Sequence, residues 1–274
     1  MRIGNHFIDK DNLFFIVEEG NANNGDLNKA FHMIDLAAKS GADAIEFQVT
    51  IPVIVQARLN STRLPKKVLT RINGIPLLEY LLTRLTNIFD KSQIIIATSN
   101  QNQDDPIHQY CINDNFLFFR GSLDDVAKRI LDAAKQINVE AFVRISGDSP
   151  LMDPKIIEEG IDIYKNGDYD LVTNTFPRSY PVGQSVEVIR TSTFEKTYER
   201  MSTPDHFEHI TKLFYELPKE FQIKNFKNNR DISQYRLVVD TPEDLKRMKK
   251  IIGSMTRPPT EYSLDELIEL YPSV

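Results

Sequence analysis

The stretch IPVIVQARLNSTRLPKKVL, residues 51–69, runs from a short apolar strand candidate, Val53–Gln56, into a loop that holds Arg58, Arg63, Lys66 and Lys67. Four cations within ten residues at the end of a strand suit a triphosphate, whose negative charges call for charge-assisted hydrogen bonds and backbone amides. Ser61 and Thr62 add hydroxyls to the same loop. The plainer reading is a solvated basic loop on an acidic protein. A Walker loop is excluded, because the glycines that define one are missing.

Outward from this segment, β-branched or aromatic runs alternate with amphipathic stretches. Strands are expected at Phe14–Val17, Ala44–Phe47, Ile94–Thr98, Phe116–Phe119 and Ala141–Ile145, and further on at Leu171–Thr173, Ser185–Ile189 and Arg236–Val239. Helices are expected at Asp26–Lys39, Leu77–Ile88, Leu123–Ile137, Pro154–Lys165, Pro204–Leu217 and Pro242–Ile252. Such alternation predicts an α/β fold around a mostly parallel sheet. In Asp153-Pro154 and Thr241-Pro242 a capping side chain precedes a proline at the first helical position. Ligands of such folds sit beyond the carboxyl ends of the strands, so residues just after a strand are the candidates for chemistry.

The chain has 274 residues, 39 acidic and 33 basic, and a formal charge of -6. That balance gives no reason to expect a nucleic-acid partner or an anionic membrane surface. No apolar run approaches the ~20 residues of a membrane span, and the N-terminus lacks the apolar stretch of a signal peptide, so a cytoplasmic protein is expected. Cys111 is the single cysteine and sits at helical spacing from Ile107. It reads as a core thiol.

Asp148 follows the strand Ala141–Ile145, and Asp240 follows Arg236–Val239. Taken singly, each reads as a helix cap. Two carboxylates at the ends of separate strands can also converge on one site, and hard oxygen ligands of this kind suit Mg2+.

QARLNSTRLPKKVL (56–69) and GIPLLEYLLTRL (74–85) resemble the signature of the cytidylyltransferases of the spore-coat polysaccharide biosynthesis type, relatives of the synthetases of CMP-sialic acid and CMP-3-deoxy-manno-octulosonate. The resemblance continues through IIIATS (94–99), FRGSLDDV (119–126), VRISGDSPLMDP (143–154) and VVDTPEDL (238–245). It implies a Rossmann-like sheet of the nucleotide-diphospho-sugar transferase type, with Arg58, Arg63 and Lys67 as phosphate-contacting and catalytic cations. Gln56, Ala57 and Ser61 join them in the nucleotide site, and Ala97, Thr98, Ser99 and Asp125 lie nearby; at Asp125 capping is an equal alternative. The resemblance makes Asp148 and Asp240 the ligands of Mg2+. Candidates facing the sugar are Arg144, Asn174, Arg178, Glu187 and His209, because SVEV (185–188) and EHIT (208–211) resemble family blocks and an acidic sugar needs a cationic partner. Two positions depart from the pattern: Asn60 and Lys66 stand where the family carries glycine. Asparagine tolerates a left-handed backbone, whereas lysine at 66 would strain a positive φ or crowd a phosphate.

The implied reaction is transfer of CMP from CTP to a sugar, of an acidic nonulosonic or octulosonic type, with release of pyrophosphate in surface polysaccharide biosynthesis. Alternatives are another nucleoside triphosphate, a sugar phosphate as acceptor, or a catalytically weak nucleotide-binding scaffold.

Residues 1–48 resemble the opening of the sialic acid synthase family, whose (β/α)8 barrel requires eight repeating units. Only the first strand, helix and second strand are matched. Ala22-Asn23 and Glu46 replace that family's asparagine-histidine pair and lysine, while Glu18 agrees. The expected organisation is therefore an incomplete fragment at 1–50 and a nucleotidyltransferase domain at 51–274. The fragment's helix, with Ala30, Met33, Ile34 and Ala37 on one face, needs an apolar partner, either the transferase sheet or the second subunit of a homodimer.

Overall fold

Val53, Ile54 and Val55 have no solvent exposure. An apolar run without polar alternation is what a parallel strand covered on both faces requires. The computed structural model describes residues 2–3, 6–7, 16–19, 27–47 and 50–272, and the chain divides into two units, Met1–Thr50 and Ile51–Val274.

In the second unit seven strands form one sheet. In chain order they are β1 (Val53–Gln56), β2 (Ile94–Ser99), β3 (Leu117–Gly121), β4 (Ala141–Ser146), β5 (Leu171–Thr173), β6 (Glu187–Arg190) and β7 (Ile223–Asn225). Across the sheet the order is β7-β5-β6-β4-β1-β2-β3. Only β6 runs antiparallel to its neighbours. The sheet is therefore the mostly parallel one that alternation predicts.

Side chains alternate between two cores. Val53 and Val55 pack on one side with Leu77, Leu78 and Leu81 of the helix Leu77–Leu85, while Ile54 packs on the other with Val126 and Ile130 of the helix Val126–Gln136. Chain order reverses between β1 and β4, which makes their carboxyl ends the switch point of the sheet.

Three local expectations are revised. Arg236–Val239 is not a strand of the sheet and contributes one isolated bridge, from Arg236 to Val182. Its amides go elsewhere: Leu237 N–H donates to Val182 O at 2.7 Å and Val239 N–H to Asp148 O at 2.9 Å. The helix expected over 204–217 is two short ones, Pro204–Glu208 and Lys212–Glu216. The helices Asp105–Asn113, Thr191–Tyr198 and Leu264–Glu269 and the strand Ile223–Asn225 are among the elements additional to the expected ones. Cys111 is fully buried, and burial pushes its thiol pKa up to about 12.

The first unit pairs the strands Ile16–Glu19 and Ala44–Phe47 in parallel, with the helix Leu27–Lys39 between them in sequence. On that helix Ala37 is buried, whereas Phe31, Ile34 and Leu36 are exposed. Phe14, Ala22 and Asn23 lie outside the described residues. Among the described residues no helix is long and apolar enough to cross a membrane.

Candidate active site

The loop after β1 folds back on itself. Leu59 O accepts from Ser61 N–H at 2.9 Å and from Lys66 N–H at 3.0 Å, which brings residue 67 near residue 58. Asp104 anchors the base of this loop: fully buried, it accepts from Leu59 N–H at 2.7 Å and from the Ser99 hydroxyl. Sequence reasoning missed Asp104, because a lone aspartate after a polar run reads as a cap. The strand end is also closely packed, since a Cβ on Gly147 would meet Gln56 O at 2.9 Å. Glycine there lets the β4 turn approach β1.

The switch point opens into a cavity of about 260 Å³. Gln56, Arg58, Ser61, Arg63 and Lys67 line it from the first strand and its loop. Arg144, Asp148, His209 and Asp240 complete the sequence candidates there, and Glu208 joins them from the helix Pro204–Glu208. The structure thus gathers nine of the candidate residues around one space.

Every cation that the loop points into this space has a carboxylate partner. Lys67 Nζ lies 2.6 Å from Asp148 Oδ2 and 2.8 Å from Asp240 Oδ1, and Arg63 pairs with the other oxygen of Asp240. Arg58 pairs with Glu208 at 2.5 Å and donates to Leu123 O at 3.3 Å. Burial alone would lower the Lys67 pKa, but Asp148 and Asp240 outweigh it and hold the ammonium above the usual lysine range. Asp240 is itself oriented by Asp244, whose Oδ2 accepts from the Asp240 and Thr241 amides at 3.2 Å. The Val239-to-Asp148 bond draws the two site aspartates together, so the extended segment 236–239 serves the site although it leaves the sheet.

The two glycine departures separate. Lys66 has φ 59° and ψ 22°, the left-handed region that glycine occupies without penalty. Asn60 is not among the residues with positive φ. The backbone demand therefore falls on position 66 alone.

The remaining candidates lie outside the cavity lining. Ala97, Thr98 and Ser99 are fully buried at the end of β2, and Ala57 N–H bonds to Ala97 O at 3.1 Å. Asp125 caps the helix Val126–Gln136, accepting from Lys128 N–H at 2.7 Å and from the Tyr198 hydroxyl at 2.8 Å. Asn174 is buried and uses its amide on Gln184 O and Val186 N–H. Glu187, also buried, accepts from the Thr211 and Tyr215 hydroxyls at 2.7 Å each and from Arg144 at 3.3 Å. Burial and Glu187 together raise the Tyr215 phenol pKa. Arg178 donates to Ser185 Oγ at 3.0 Å and Pro181 O at 3.4 Å, and burial lowers its pKa.

A mostly parallel sheet with its site at the switch point, flanked by helices, defines an α/β protein of the nucleotide-diphospho-sugar transferase fold. The solved CMP:2-keto-3-deoxy-manno-octonic acid synthetase complexed with CTP shares it with a TM-score of 0.56 at 15% identity, over 74% of this chain and 98% of that one. A solved cytidylyltransferase from Leptospira borgpetersenii is nearer: TM-score 0.76 and 33% identity over 81% of this chain and 94% of its own. The spore coat polysaccharide biosynthesis protein SpsF of Bacillus subtilis is 29% identical over 226 residues, 79% of this chain and 92% of that protein. Residues 52–268 match the family model described as cytidylyltransferase. The chain belongs to the cytidylyltransferase family.

Proposed function

We propose that this enzyme transfers CMP from CTP to an acidic sugar of the nonulosonic or octulosonic type, releasing pyrophosphate, in surface polysaccharide biosynthesis. The observation that carries the reading is the cation loop at the switch point, with Arg58, Arg63 and Lys67 gathered beside Asp148 and Asp240. In the reaction a sugar hydroxyl oxygen forms a bond to the α-phosphorus while the anhydride bond to the β-phosphate breaks. Charge grows on the departing pyrophosphate, and the three loop cations neutralise it, so catalysis is mostly positioning and electrostatics. No covalent enzyme intermediate is required.

Asp148 and Asp240 would hold Mg2+. The fit rests on the convergence of the two carboxylates on one point, which the Lys67 ammonium fills here and would leave for the phosphates when the ion binds. Magnesium takes one or two carboxylates and completes its shell from phosphates and water, which matches a pair. Bound there, the ion would offset the α-phosphate's charge and make the attacking hydroxyl more acidic.

One observation favours an acidic acceptor: the nearby Arg178 has no carboxylate within ion-pair distance among the described residues. The likeness of residues 1–48 to sialic acid synthases points the same way, since a synthase and an activating enzyme serve successive steps.

The test is pyrophosphate release with each of four nucleoside triphosphates against a panel of acidic sugars and sugar phosphates, with Mg2+. Turnover with CTP and a nonulosonic or octulosonic acid is the expected result, and preference for another nucleotide or for a sugar phosphate rejects it. A second reading, a nucleotide-binding scaffold of low activity, is favoured by the left-handed Lys66. CTP binding without turnover on any acceptor selects that reading.

A further inference from the structure

Gln56 ends β1, and its side chain has a fixed polarity. Arg144 Nε and Nη2 lie 3.4 and 3.1 Å from Gln56 Oε1. A guanidinium carries only donors, so the amide oxygen faces Arg144 and the amide NH2 is turned away from it. Both residues line the cavity. No acceptor for Gln56 Nε2 occurs among the described residues.

Arg144 is held in turn. Its Nη1 lies 3.3 Å from Glu187 Oε2, and the other oxygen of Glu187 takes the Thr211 and Tyr215 hydroxyls at 2.7 Å. The Tyr215 oxygen also sits 2.9 Å from Thr173 Oγ1 and 3.0 Å from Thr175 Oγ1. Each link runs one way: hydroxyls donate to the carboxylate, and the guanidinium donates to the carboxylate on one side and the amide oxygen on the other. Glu187, buried and with both oxygens engaged, fixes Arg144 from behind, and a partner held in this way orients the half-buried Gln56 amide with little further reorganisation.

We propose that Gln56 is a substrate-binding donor whose amide NH2 meets an oxygen of the bound substrate, and that Arg144 and Glu187 are positioning residues that set this polarity. The proposal rests on the transferase reading and adds a specificity element to it. The partner must be an acceptor oxygen, supplied by the α-phosphate or by the sugar. A ligand presenting a donor there would leave two donors facing each other, which polar sites reject strongly.

The test uses the full chain with Gln56→Met, Arg144→Met and the double variant. Gln56→Met should lower kcat/KM about 10- to 100-fold, as expected for loss of one polar contact to a charged or strongly polarised oxygen. Arg144→Met, which removes the donors, should match it within about threefold, and the double variant should be no worse than the poorer single by the same margin. Losses that multiply, or a Gln56→Met enzyme with wild-type kcat/KM for both substrates, overturn the proposal. A weakened nucleotide dissociation constant assigns the oxygen to phosphate, and a raised sugar KM with unchanged nucleotide binding assigns it to the sugar. The Gln56 side-chain amide resonance, identified by its absence in Gln56→Met, provides a readout independent of turnover. It should move in Arg144→Met, and an unmoved resonance overturns the relay. If no nucleotide supports turnover while the resonance moves as expected, the transferase reading falls and the Arg144–Gln56 coupling stands.

Discussion

Replacing Lys66 with glycine should stabilise the protein. At φ 59° and ψ 22° the lysine Cβ crowds its own backbone, at a cost of about 1–2 kcal/mol for an L-residue. Glycine removes that cost but loses about 0.5–1 kcal/mol more conformational entropy on folding. At mid-range the balance favours Lys66→Gly by about 0.75 kcal/mol (about 0–1.5 across the two ranges), which for a unit of this size is a rise in Tm of about 1–3 °C. Lys66→Ala is the control, because alanine keeps the Cβ while discarding the exposed ammonium. Urea unfolding of the three proteins at one pH should rank glycine first, with alanine close to wild type. Equal stabilities for the glycine and alanine variants would refute the strain argument.

The aspartate assignment predicts that Asp148→Asn and Asp240→Asn each reduce pyrophosphate release at least about 100-fold, the scale on which single electrostatic groups act; turnover within threefold of wild type would remove that aspartate from the site. Asp244 should show its contribution as a function of pH: burial pushes its carboxyl up, but Arg236 and Arg247 outweigh this and hold it at about 2, below its ordinary 3.8. A depressed folded-state pKa gives stability that is full above about pH 4 and lost as pH falls through about 2, amounting to about 2 kcal/mol. The destabilisation of Asp244→Asn in urea should therefore shrink between pH 4 and pH 2, and a pH-independent difference would contradict the ion-pair account. Native Cys111, with its thiol pushed up to about 12, should resist a thiol-specific disulfide reagent and react once urea unfolds the chain; rapid labelling of the native protein would place it outside the core.

The sequence made β1 legible because burial on both faces leaves an uninterrupted apolar run, whereas the charge of the loop alone fits a solvated surface equally well, and the loop was legible through the family resemblance of 56–69. Asp148 stood out for its place after a strand. Arg236–Val239 misled for a physical reason: an extended apolar segment looks the same whether its amides bond to a neighbouring strand or, as here, to Val182 O and Asp148 O. Ile223–Asn225, three residues with a central exposed lysine, has too little alternation to register as a strand. Partnerships such as Arg58 with Glu208 and Leu59 N–H with Asp104 join residues far apart in the chain. They depend on the strand order, which periodicity does not encode. Gln56 was visible as a strand-end residue, but the direction of its amide required Arg144 to be in place.

The ion pairs of the loop also bear on how tightly any polyanion is held. On the proposed function, Arg58, Arg63 and Lys67 would meet an incoming triphosphate with Glu208, Asp240 and Asp148 already paired with them. Each phosphate contact then replaces an existing one instead of filling an empty place, so binding is an exchange of anions around fixed cations. Such a site surrenders part of the Coulomb energy that bare cations would give, and in return its own carboxylates re-pair with the loop as pyrophosphate departs. Counter-ions built into the fold would then moderate affinity and assist release, which suits the proposed enzyme, whose leaving group is itself strongly anionic.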